Sequence, residues 1–282
     1  MHSITKLAEL RQQVRSLRQQ GKTIAMVATM GNLHEGHIAL VHQAKTLADV
    51  VIATIFVNPL QFGTGEDLEK YPKTLTADKA QLEAAGCHFL FAPTDAEVYP
   101  HGRDNQTIVE VPATSNLYCG ISRPGHFQGV ATVVCKLYAM IQPDVAVFGE
   151  KDYQQLHIIR QMTQDLSIAV DVVGSPTRRN SDGLALSSRN GYLTADELQR
   201  APALYRALQA TKLKLEQGSD DFPLLCEQAQ QTLETAGFNR DYFVIANAKT
   251  LMLAQPGDRQ LVILAAGFMG AARLIDNQVV NL

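Results

Sequence analysis

The chain has 282 residues, of which 46% are hydrophobic and 19% charged, and its formal net charge is −3. This composition is typical of a globular protein of one large domain or two smaller ones, and it argues against an intrinsically disordered chain. The small negative charge, without a long basic run, gives little electrostatic support for nonspecific binding of nucleic acid.

The cysteines and the amino terminus indicate the cellular compartment. Cys87, Cys119, Cys135 and Cys226 are widely spaced and form no C-x-x-C pair. This spacing argues against a disulfide framework or a zinc site and favours reduced thiols. The amino terminus has no apolar signal core, and no apolar run is long enough to span a bilayer. We therefore expect a soluble cytoplasmic protein that contacts neither membrane nor nucleic acid.

Up to about residue 175, short β-rich runs alternate with helical patterns. We predict strands at 23–29, 50–56, 88–91, 145–148 and 169–173, and helices at 4–20, 38–48, 76–85, 130–141 and 153–166. This alternation predicts an α/β fold, with a doubly wound parallel sheet and helices on both faces. Ligands of such sheets bind beyond the carboxyl ends of the strands, where connections leave in opposite directions.

After residue 190 the pattern changes. We predict helices at 194–217 and 223–236 and strands at 242–246 and 261–265, with turn-forming residues at 218–221 and 255–258. These elements predict a second, smaller α+β domain. We place the boundary after residue 176, which gives domains 1–176 and 177–282.

The segment from Thr29 to His37 lies between a predicted strand and a predicted helix. Such a junction directs backbone N–H groups and the helix dipole at one point, which favours a phosphate. His34 and His37 can add proton-donating contacts to a phosphate whose negative charge grows during a reaction. Two alternatives remain at this point: a plain junction with two surface histidines, and a pair of metal ligands that lacks an evident third ligand.

Asn58 and Gln61 follow the next predicted strand along the chain. Pro59 stiffens the exit from that strand, because its ring fixes the backbone and it has no N–H group. The two amide side chains can both donate and accept hydrogen bonds, which suits a small polyol acid. The alternative is an ordinary Asn-Pro turn.

The segment from Gly149 to Asp152 marks another strand-to-helix junction. Lys151 is a compact cation for phosphate oxygens, and Asp152 could cap the helix or bind a ribose hydroxyl. Gln155 lies one helical turn beyond Lys151 and can face the same cleft. The alternative is a surface ion pair between Lys151 and Asp152.

The segment 182–190 lies at the predicted domain junction. Ser187, Ser188 and Arg189 provide hydroxyl groups and a guanidinium for an anion, and Arg189 could follow a departing pyrophosphate. A simple hinge is the alternative. The segment 122–127 by itself indicates only a turn, which could carry a mobile cationic loop.

Together these segments resemble the pantothenate synthetase (pantoate–β-alanine ligase) family. The matching stretches are TMGNLHEGH at 29–37, FVNPLQFG at 56–63, SRPGHFQGV at 122–130, FGEKDYQQL at 148–156, DGLALSSRN at 182–190 and ARLIDN at 272–277. They are ordered along nearly the whole chain. The His-x-Gly-His motif alone would indicate only the wider HIGH-motif nucleotidyltransferase superfamily.

The resemblance implies a Rossmann-like amino-terminal domain, a smaller carboxy-terminal lid domain, a homodimer, and ATP with Mg²⁺. It also implies two chemical steps. In the first, the pantoate carboxylate attacks the α-phosphorus of ATP and forms pantoyl adenylate and pyrophosphate. In the second, the β-alanine amine attacks the activated carbonyl and forms pantothenate and AMP.

The resemblance also assigns roles by position. It makes His34, His37 and Lys151 catalytic, with His37 as the proton donor. It places Gln61 on pantoate and β-alanine, and Gln155 and Asn58 on pantoate; Tyr71, Arg123 and His126 are weaker candidates near the same pocket. The predicted ATP-binding residues are Met30, Gly31, Asn32, Leu33, His34, Glu35, Gly36, His37, Gly149, Glu150, Lys151, Asp152, Arg178, Leu186, Ser187, Ser188 and Arg189. The resemblance leaves the Mg²⁺ ligands unknown.

Two stretches depart from the family pattern. Arg178 stands where the family often has an aliphatic residue beside the nucleotide base, and the segment 267–270 also differs. Two other functions compete with the ligase. One is a different nucleotidyltransferase that uses the same histidines, and the other is a nucleotide-binding module that senses ATP without chemistry.

Overall fold

A computed structural model describes residues 1–63 and 65–282, which form two compact units. The parallel-sheet unit comprises Met1–Asn116, Arg123–Glu150 and Gln155–Pro176. The antiparallel-sheet unit comprises Leu117–Ser122, Lys151–Gln154 and Thr177–Leu282. Among the helices described, none is both long enough and apolar enough to cross a membrane.

The first unit contains a six-stranded, entirely parallel sheet in the order β1-β4-β3-β2-β5-β6. Helices flank this sheet, so the predicted α/β class is confirmed. The strands are β1 His2–Ile4, β2 Ile24–Thr29, β3 Val50–Ile55, β4 Phe89–Phe91, β5 Val145–Gly149 and β6 Asp171–Ser175. The helices up to residue 165 are α1 Leu7–Gln19, α2 Glu35–Leu47, α3 Leu75–Ala84, α4 Asp95–Val98, α5 Pro112–Ser115, α6 Cys119–Ser122, α7 His126–Ile141 and α8 Tyr153–Asp165.

Strand β2 is the centre of the parallel sheet. Its residues Ala25 and Val27 are buried with residues of α2 and α3, whereas Ile24 and Met26, which alternate with them, are fully buried on the opposite face. β2 pairs with β3 on one side and with β5 on the other. The connections therefore leave β2 and β5 in opposite directions, which is the arrangement that creates a ligand-binding crevice beyond the strand ends.

All five strands predicted in this unit are present, with displaced ends. β6 begins two residues later than predicted, and α2 begins at Glu35 rather than at Ile38. The prediction misses β1, which pairs with β4 at the edge of the sheet. Three residues are too few to show a β-strand period, so this pairing is decided by tertiary contacts.

The second unit contains a three-stranded antiparallel sheet in the order β7-β8-β9 with helices, which confirms the predicted smaller α+β part. The strands are β7 Asn239–Asn247, β8 Gln260–Met269 and β9 Ala272–Asn281; the helices are α9 Ala195–Arg200, α10 Ala203–Glu216 and α11 Phe222–Thr235. The prediction misses β9. It follows a two-residue turn that begins at Gly270, whose φ of +55° suits the first central position of a tight hairpin.

Both faces of this small sheet are covered. Leu261 and Ile263 of β8 are buried in the core that contains α10 and α11. Val262 and Leu264 point to the other face, where Tyr118 and other residues of the inserted segments 117–122 and 151–154 pack against them. Burial on both faces explains why β8 appears in the sequence as a continuous apolar run.

The predicted single helix at 194–217 is wrong. The structure has α9 and α10 instead, separated by Ala201 and Pro202. Proline has no N–H group for the hydrogen bond that would continue α9, and it occupies the N-cap position of α10 instead.

Candidate active site

The turn after β2 is held by a buried carboxylate from α3. Gly31 and Asn32 have φ angles of +84° and +50°. The backbone N–H groups of Asn32 and Leu33 donate to the Asp78 carboxylate over 3.1 and 2.9 Å, and the Thr74 hydroxyl donates to it over 3.1 Å. Only 1% of Asp78 is exposed. The N–H groups of Asn32 and Leu33 are thus bonded to Asp78, and the predicted contact of these two residues with the nucleotide stays a prediction.

His34 and His37 form the first turn of α2. The N–H of Gly36 donates to His34 Nδ1 over 3.1 Å, and the N–H of His34 donates to His37 Nδ1 over 3.3 Å. The ring centroids are 4.0 Å apart. Because Nδ1 accepts in both rings, the proton of each neutral ring lies on Nε2. The backbone of the helix start therefore fixes the tautomer in which Nε2 is the proton donor.

The side chain of Gln61 is positioned by Asn58. The Asn58 amide nitrogen donates to Gln61 Oε1 over 3.2 Å and to the carbonyl of Gly129 over 3.1 Å, while its oxygen accepts from the Tyr99 hydroxyl over 2.6 Å. Burial raises the pKa of Tyr99, which keeps this hydroxyl protonated. These bonds orient the Gln61 amide so that its nitrogen approaches Met30 Sδ, at 3.2 Å. Asn58 thus supports Gln61; its predicted direct contact with pantoate stays a prediction.

Arg123 and His126 bond to the backbone at Gln61. His126 Nδ1 lies 2.8 Å from the Gln61 carbonyl oxygen, and Arg123 Nη2 donates to the same oxygen over 3.4 Å. Arg123 also forms an ion pair with Glu66 and lies 3.0 Å from His126 Nε2. Tyr71 is buried and contacts Phe62 edge to face. The segment 122–127, in which the sequence showed only a turn, therefore bonds to the residue predicted to bind both small substrates.

The junction after β5 divides between the two units. Gly149, Glu150 and Gln155 belong to the parallel-sheet unit, whereas Lys151 and Asp152 belong to the antiparallel-sheet unit. Each of these five residues is partly exposed. Within its own unit, the carbonyl of Lys151 accepts from the Asn277 amide over 2.9 Å.

The loop before Leu186 turns Arg179, rather than Arg178, into the interior of the antiparallel-sheet unit. Arg178 is exposed, and its carbonyl accepts from the N–H of Leu186 over 2.9 Å. Arg179 makes two hydrogen bonds with the carboxylate of Asp276, and its guanidinium lies 3.8 Å from the centroid of the Tyr205 ring. The backbone of Arg178 is thus committed to the loop, and its predicted place beside the nucleotide base stays a prediction.

The second predicted phosphate loop runs from Leu186 to Arg189. Ser187 Oγ accepts from the N–H of Arg189 over 3.3 Å, and the Asn190 amide donates to the Ala185 carbonyl over 3.0 Å. A concave region of the antiparallel-sheet unit is lined both by this loop and by Lys151 of the predicted phosphate-binding segment that follows β5. It is lined by Lys151, Leu184, Ala185, Ser187, Asn190, Leu204, Tyr205, Leu274, Ile275 and Asp276.

The structure thus groups the predicted residues within each unit. Met30, Asn58 and Gln61 are linked by side-chain contacts in the parallel-sheet unit, and His34 and His37 form a pair of contacting rings there. Lys151 and Ser187 line one hollow in the antiparallel-sheet unit. Supporting residues that we did not predict from the sequence are Asp78, Tyr99, Arg179, Asp276 and Asn277. Only the last two lie in a stretch that matches the family, ARLIDN, which could have identified them.

The carboxylates and histidines of the described residues form no cage for a metal. Among residues 1–63 and 65–282, no group of three or more His, Cys, Asp or Glu side chains is arranged to hold one. Mg²⁺ commonly binds through substrate phosphates, water and one or two carboxylates rather than through an all-protein cage.

Comparison with known proteins identifies the family. A family model described as pantoate-beta-alanine ligase matches residues 2–279. Pantothenate synthetase from Ectopseudomonas mendocina (strain ymp) is 57% identical, covering 100% of this chain and 99% of the relative. The one from Pseudomonas aeruginosa (strain UCBPP-PA14) is 54% identical over 100% of both chains.

Solved structures agree with the sequence comparison. Pantothenate synthetase from Thermus thermophilus superposes with a TM-score of 0.92 at 44% identity, covering 99% of both chains. Pantoate-beta-alanine ligase from Francisella tularensis, complexed with beta-gamma ATP and β-alanine, has a TM-score of 0.83 at 35% identity, covering 99% of this chain and 97% of that one. The chain therefore belongs to the pantoate–β-alanine ligase family.

Proposed function

We propose that the chain condenses (R)-pantoate with β-alanine at the expense of ATP and forms pantothenate, AMP and pyrophosphate through a pantoyl adenylate. The observation that supports this most strongly is the family match over residues 2–279. The placement of the motif segments adds to it, because they directly follow β2, β3 and β5. The carboxyl ends of parallel strands are where ligands of such sheets bind.

In the first step, a carboxylate oxygen of pantoate attacks the α-phosphorus of ATP, and the bond from that phosphorus to pyrophosphate breaks. Negative charge grows on the phosphate oxygens during this step. His34 and His37 would donate from Nε2 to these oxygens, and Lys151 would place its ammonium group on them. Losing one such preorganised donor slows a reaction by about 10²–10³-fold.

Gln61 and Gln155 would hold pantoate. The Gln61 amide is oriented by Asn58 and directs its nitrogen towards Met30. An N–H donor in that position can bind a hydroxyl or carboxylate oxygen of the acid. Fixing the acid in this way converts its attack on ATP into an effectively unimolecular step.

In the second step, the β-alanine amine attacks the carbonyl carbon of pantoyl adenylate. The bond to AMP breaks, and the amine nitrogen loses a proton as the amide forms. Gln61 would contact β-alanine as well as pantoate. The adenylate must be kept from water during this step, because acyl adenylates hydrolyse when exposed. We propose that residues 177–282 serve as the lid domain.

Further parts of the proposal follow from family resemblance. The nucleotide-binding residues would be Met30 to His37, Gly149 to Asp152, Arg178 and Leu186 to Arg189. Mg²⁺ would bind with the triphosphate, where it neutralises negative charge on the phosphate oxygens. The homodimer and the cytoplasmic location stay predictions.

Isotope exchange tests the first step without the second. The protein is mixed with ATP, Mg²⁺ and labelled pyrophosphate, with and without pantoate and in the absence of β-alanine. Because adenylate formation is reversible, label should enter ATP only when pantoate is present. Addition of β-alanine should then release AMP and pantothenate in equal amounts.

The same assay separates the competing functions. A nucleotidyltransferase for another substrate would show no pantoate-dependent exchange and would release no AMP with an amine. A nucleotide sensor would bind ATP without any exchange. Exchange that ignores pantoate would contradict the proposed ligase.

A further inference from the structure

We infer that Asp276 and Asn277, adjacent on β9, are positioning residues that hold the two predicted phosphate-binding segments of the antiparallel-sheet unit in fixed register. This inference rests on the proposed function. Neither side chain is assigned a contact with a substrate. The contacts that support it all lie within the one unit.

Asn277 fixes the first segment. Its side chain is 7% exposed, and its amide nitrogen donates to the carbonyl of Lys151 over 2.9 Å. Lys151 is in the 3₁₀ turn Glu150–Asp152, a type of helix whose own hydrogen-bond geometry is poorer than that of an α-helix. The bond from β9 therefore sets the point from which the lysine side chain extends towards a phosphate.

Asp276 fixes the second segment through Arg179. The carboxylate, on a side chain that is 2% exposed, accepts two hydrogen bonds from the guanidinium, at 2.5 and 2.9 Å. The same guanidinium donates to the carbonyl of Gly183 over 3.1 Å and lies over the Tyr205 ring. Arg179 also forms a β-bridge with Ala185, immediately before Leu186. The loop that carries Ser187 and Arg189 is thus closed around Arg179.

The negative charge of Asp276 fits a positioning role better than direct binding of a phosphate. Asp276 lines the hollow that also contains Lys151 and Ser187. An unpaired carboxylate there would repel a polyphosphate. The bidentate pair with Arg179 neutralises it and fixes its geometry. Because Asp276 also accepts from the N–H of Asn277 over 2.8 Å, the two positioning residues are linked to each other.

The test uses Asn277→Asp and Asn277→Ala in the full chain. Asn277→Asp keeps the shape but loses the N–H donor. We expect the maximal rate of pantoate-dependent pyrophosphate exchange to fall about 10- to 100-fold, as for a displaced catalytic group. KM for pantoate should change less than about twofold, because that substrate binds elsewhere. Reaction of supplied pantoyl adenylate with β-alanine should keep its rate.

A double-mutant cycle shows whether Asn277 acts through Lys151. If it does, Lys151→Ala combined with Asn277→Ala should be no more than about twofold slower than Lys151→Ala alone. If the rate losses of the two single variants multiplied in the double variant, the inference would be overturned. Gln278→Ala is the matched control: it is the next residue on β9, its amide bonds to Gln209, and its rates should equal those of the wild type.

The remaining outcomes are also decisive. Wild-type protein without pantoate-dependent exchange would refute the proposed function itself. Wild-type exchange with unchanged Asn277 variants would refute only the positioning role. If both Asn277 variants melt far below the wild type, the bond serves the stability of β9, and the inference also fails.

Discussion

Asp78 places a buried carboxylate directly beneath a turn that is proposed to bind phosphates. Its charge opposes an anion at that place, so attraction of the nucleotide does not explain it. Its hydrogen bonds do, because Asn32, Leu33 and Thr74 all donate to it. The bonds hold Asn32 at a φ of +50°, a conformation that L-residues rarely adopt without support.

We predict that Asp78→Ala will destabilise the protein by about 3 kcal/mol, because buried donors left without an acceptor cost about 1–3 kcal/mol each. The rate of pyrophosphate exchange should fall by more than the loss of folded protein explains. The reason is that Met30 and His34 flank the turn that Asp78 would no longer hold. Urea unfolding and the exchange assay, both at a temperature where the variant is folded, measure these effects.

Asp104→Asn provides the control for Asp78, since Asp104 is an exposed carboxylate. Its free energy of unfolding should lie within about 0.5 kcal/mol of the wild type, as is usual for surface changes. If Asp78→Ala behaved like this control, the carboxylate would not be what holds the turn.

At the scale of single residues, the sequence indicates candidate site residues, whose roles stay predictions, but not which way their neighbours turn. His34, His37, Lys151 and Gln61 are identified by residue type and by their place after a strand. Nothing in the sequence distinguishes Arg178 from its neighbour Arg179. The β-bridge of Arg179 with Ala185 decides which guanidinium turns inward, and two adjacent residues of the same type give no indication of which one forms it.

At the scale of elements, the contact between α7 and the turn Pro59–Gln61 depends on one glycine. A Cβ atom at Gly129 would lie 2.3 Å from the Leu60 carbonyl oxygen and 2.6 Å from the Gln61 nitrogen. Both are backbone atoms, so no side chain can move aside. The helix therefore approaches the turn only because residue 129 has no side chain.

We predict that Gly129→Ala will destabilise the protein by about 1–3 kcal/mol, the usual cost of overpacking. Helix propensity alone would instead predict that the substitution stabilises the protein, by up to about 1 kcal/mol. Displacement of Gln61 should also raise KM for pantoate more than KM for ATP. Thermal unfolding and steady-state kinetics measure the two effects.

Gly191→Ala is the comparison for Gly129. A Cβ atom at Gly191 would meet nothing within 4 Å, so this variant should unfold at nearly the wild-type temperature. A Gly129→Ala protein as stable as the wild type, with unchanged KM values, would show that the turn can shift freely.

The sequence predicts two long helices and the short apolar strands β2, β3, β4 and β5 to within one residue at each end. α8 and α11 are found within one residue of their predicted ends. β1 is missed because His2-Ser3-Ile4 lacks the apolar run that marks the equally short β4, and the 194–217 pattern continues across Pro202, which interrupts the backbone hydrogen bonds. In both cases hydrogen bonding, rather than hydrophobic period, decides the outcome.

At the scale of the whole molecule, each compact unit is built from stretches that are not consecutive in the chain. The antiparallel sheet is covered on one face by α10 and α11 and on the other by inserted segments 117–122 and 151–154. A boundary after residue 176 fits the change in sequence pattern, but the sequence has no signal for short segments that pack at a distance. The prediction that 177–282 is an independent domain can therefore be tested by cutting there.

We predict that a fragment of residues 177–282 alone will not unfold cooperatively at the temperature of the full chain. It lacks Tyr118 and Tyr153, which pack against Val262 and Leu264, and each bonds to a backbone carbonyl of the unit. Loss of one large aromatic side chain from a core costs about 3–5 kcal/mol, and a domain of this size is stable by only about 5–15 kcal/mol. Near-ultraviolet circular dichroism during heating measures the transition in the fragment and in the full chain. A fragment with a sharp transition at the full-chain temperature would show that α10 and α11 stabilise the sheet without the inserted segments.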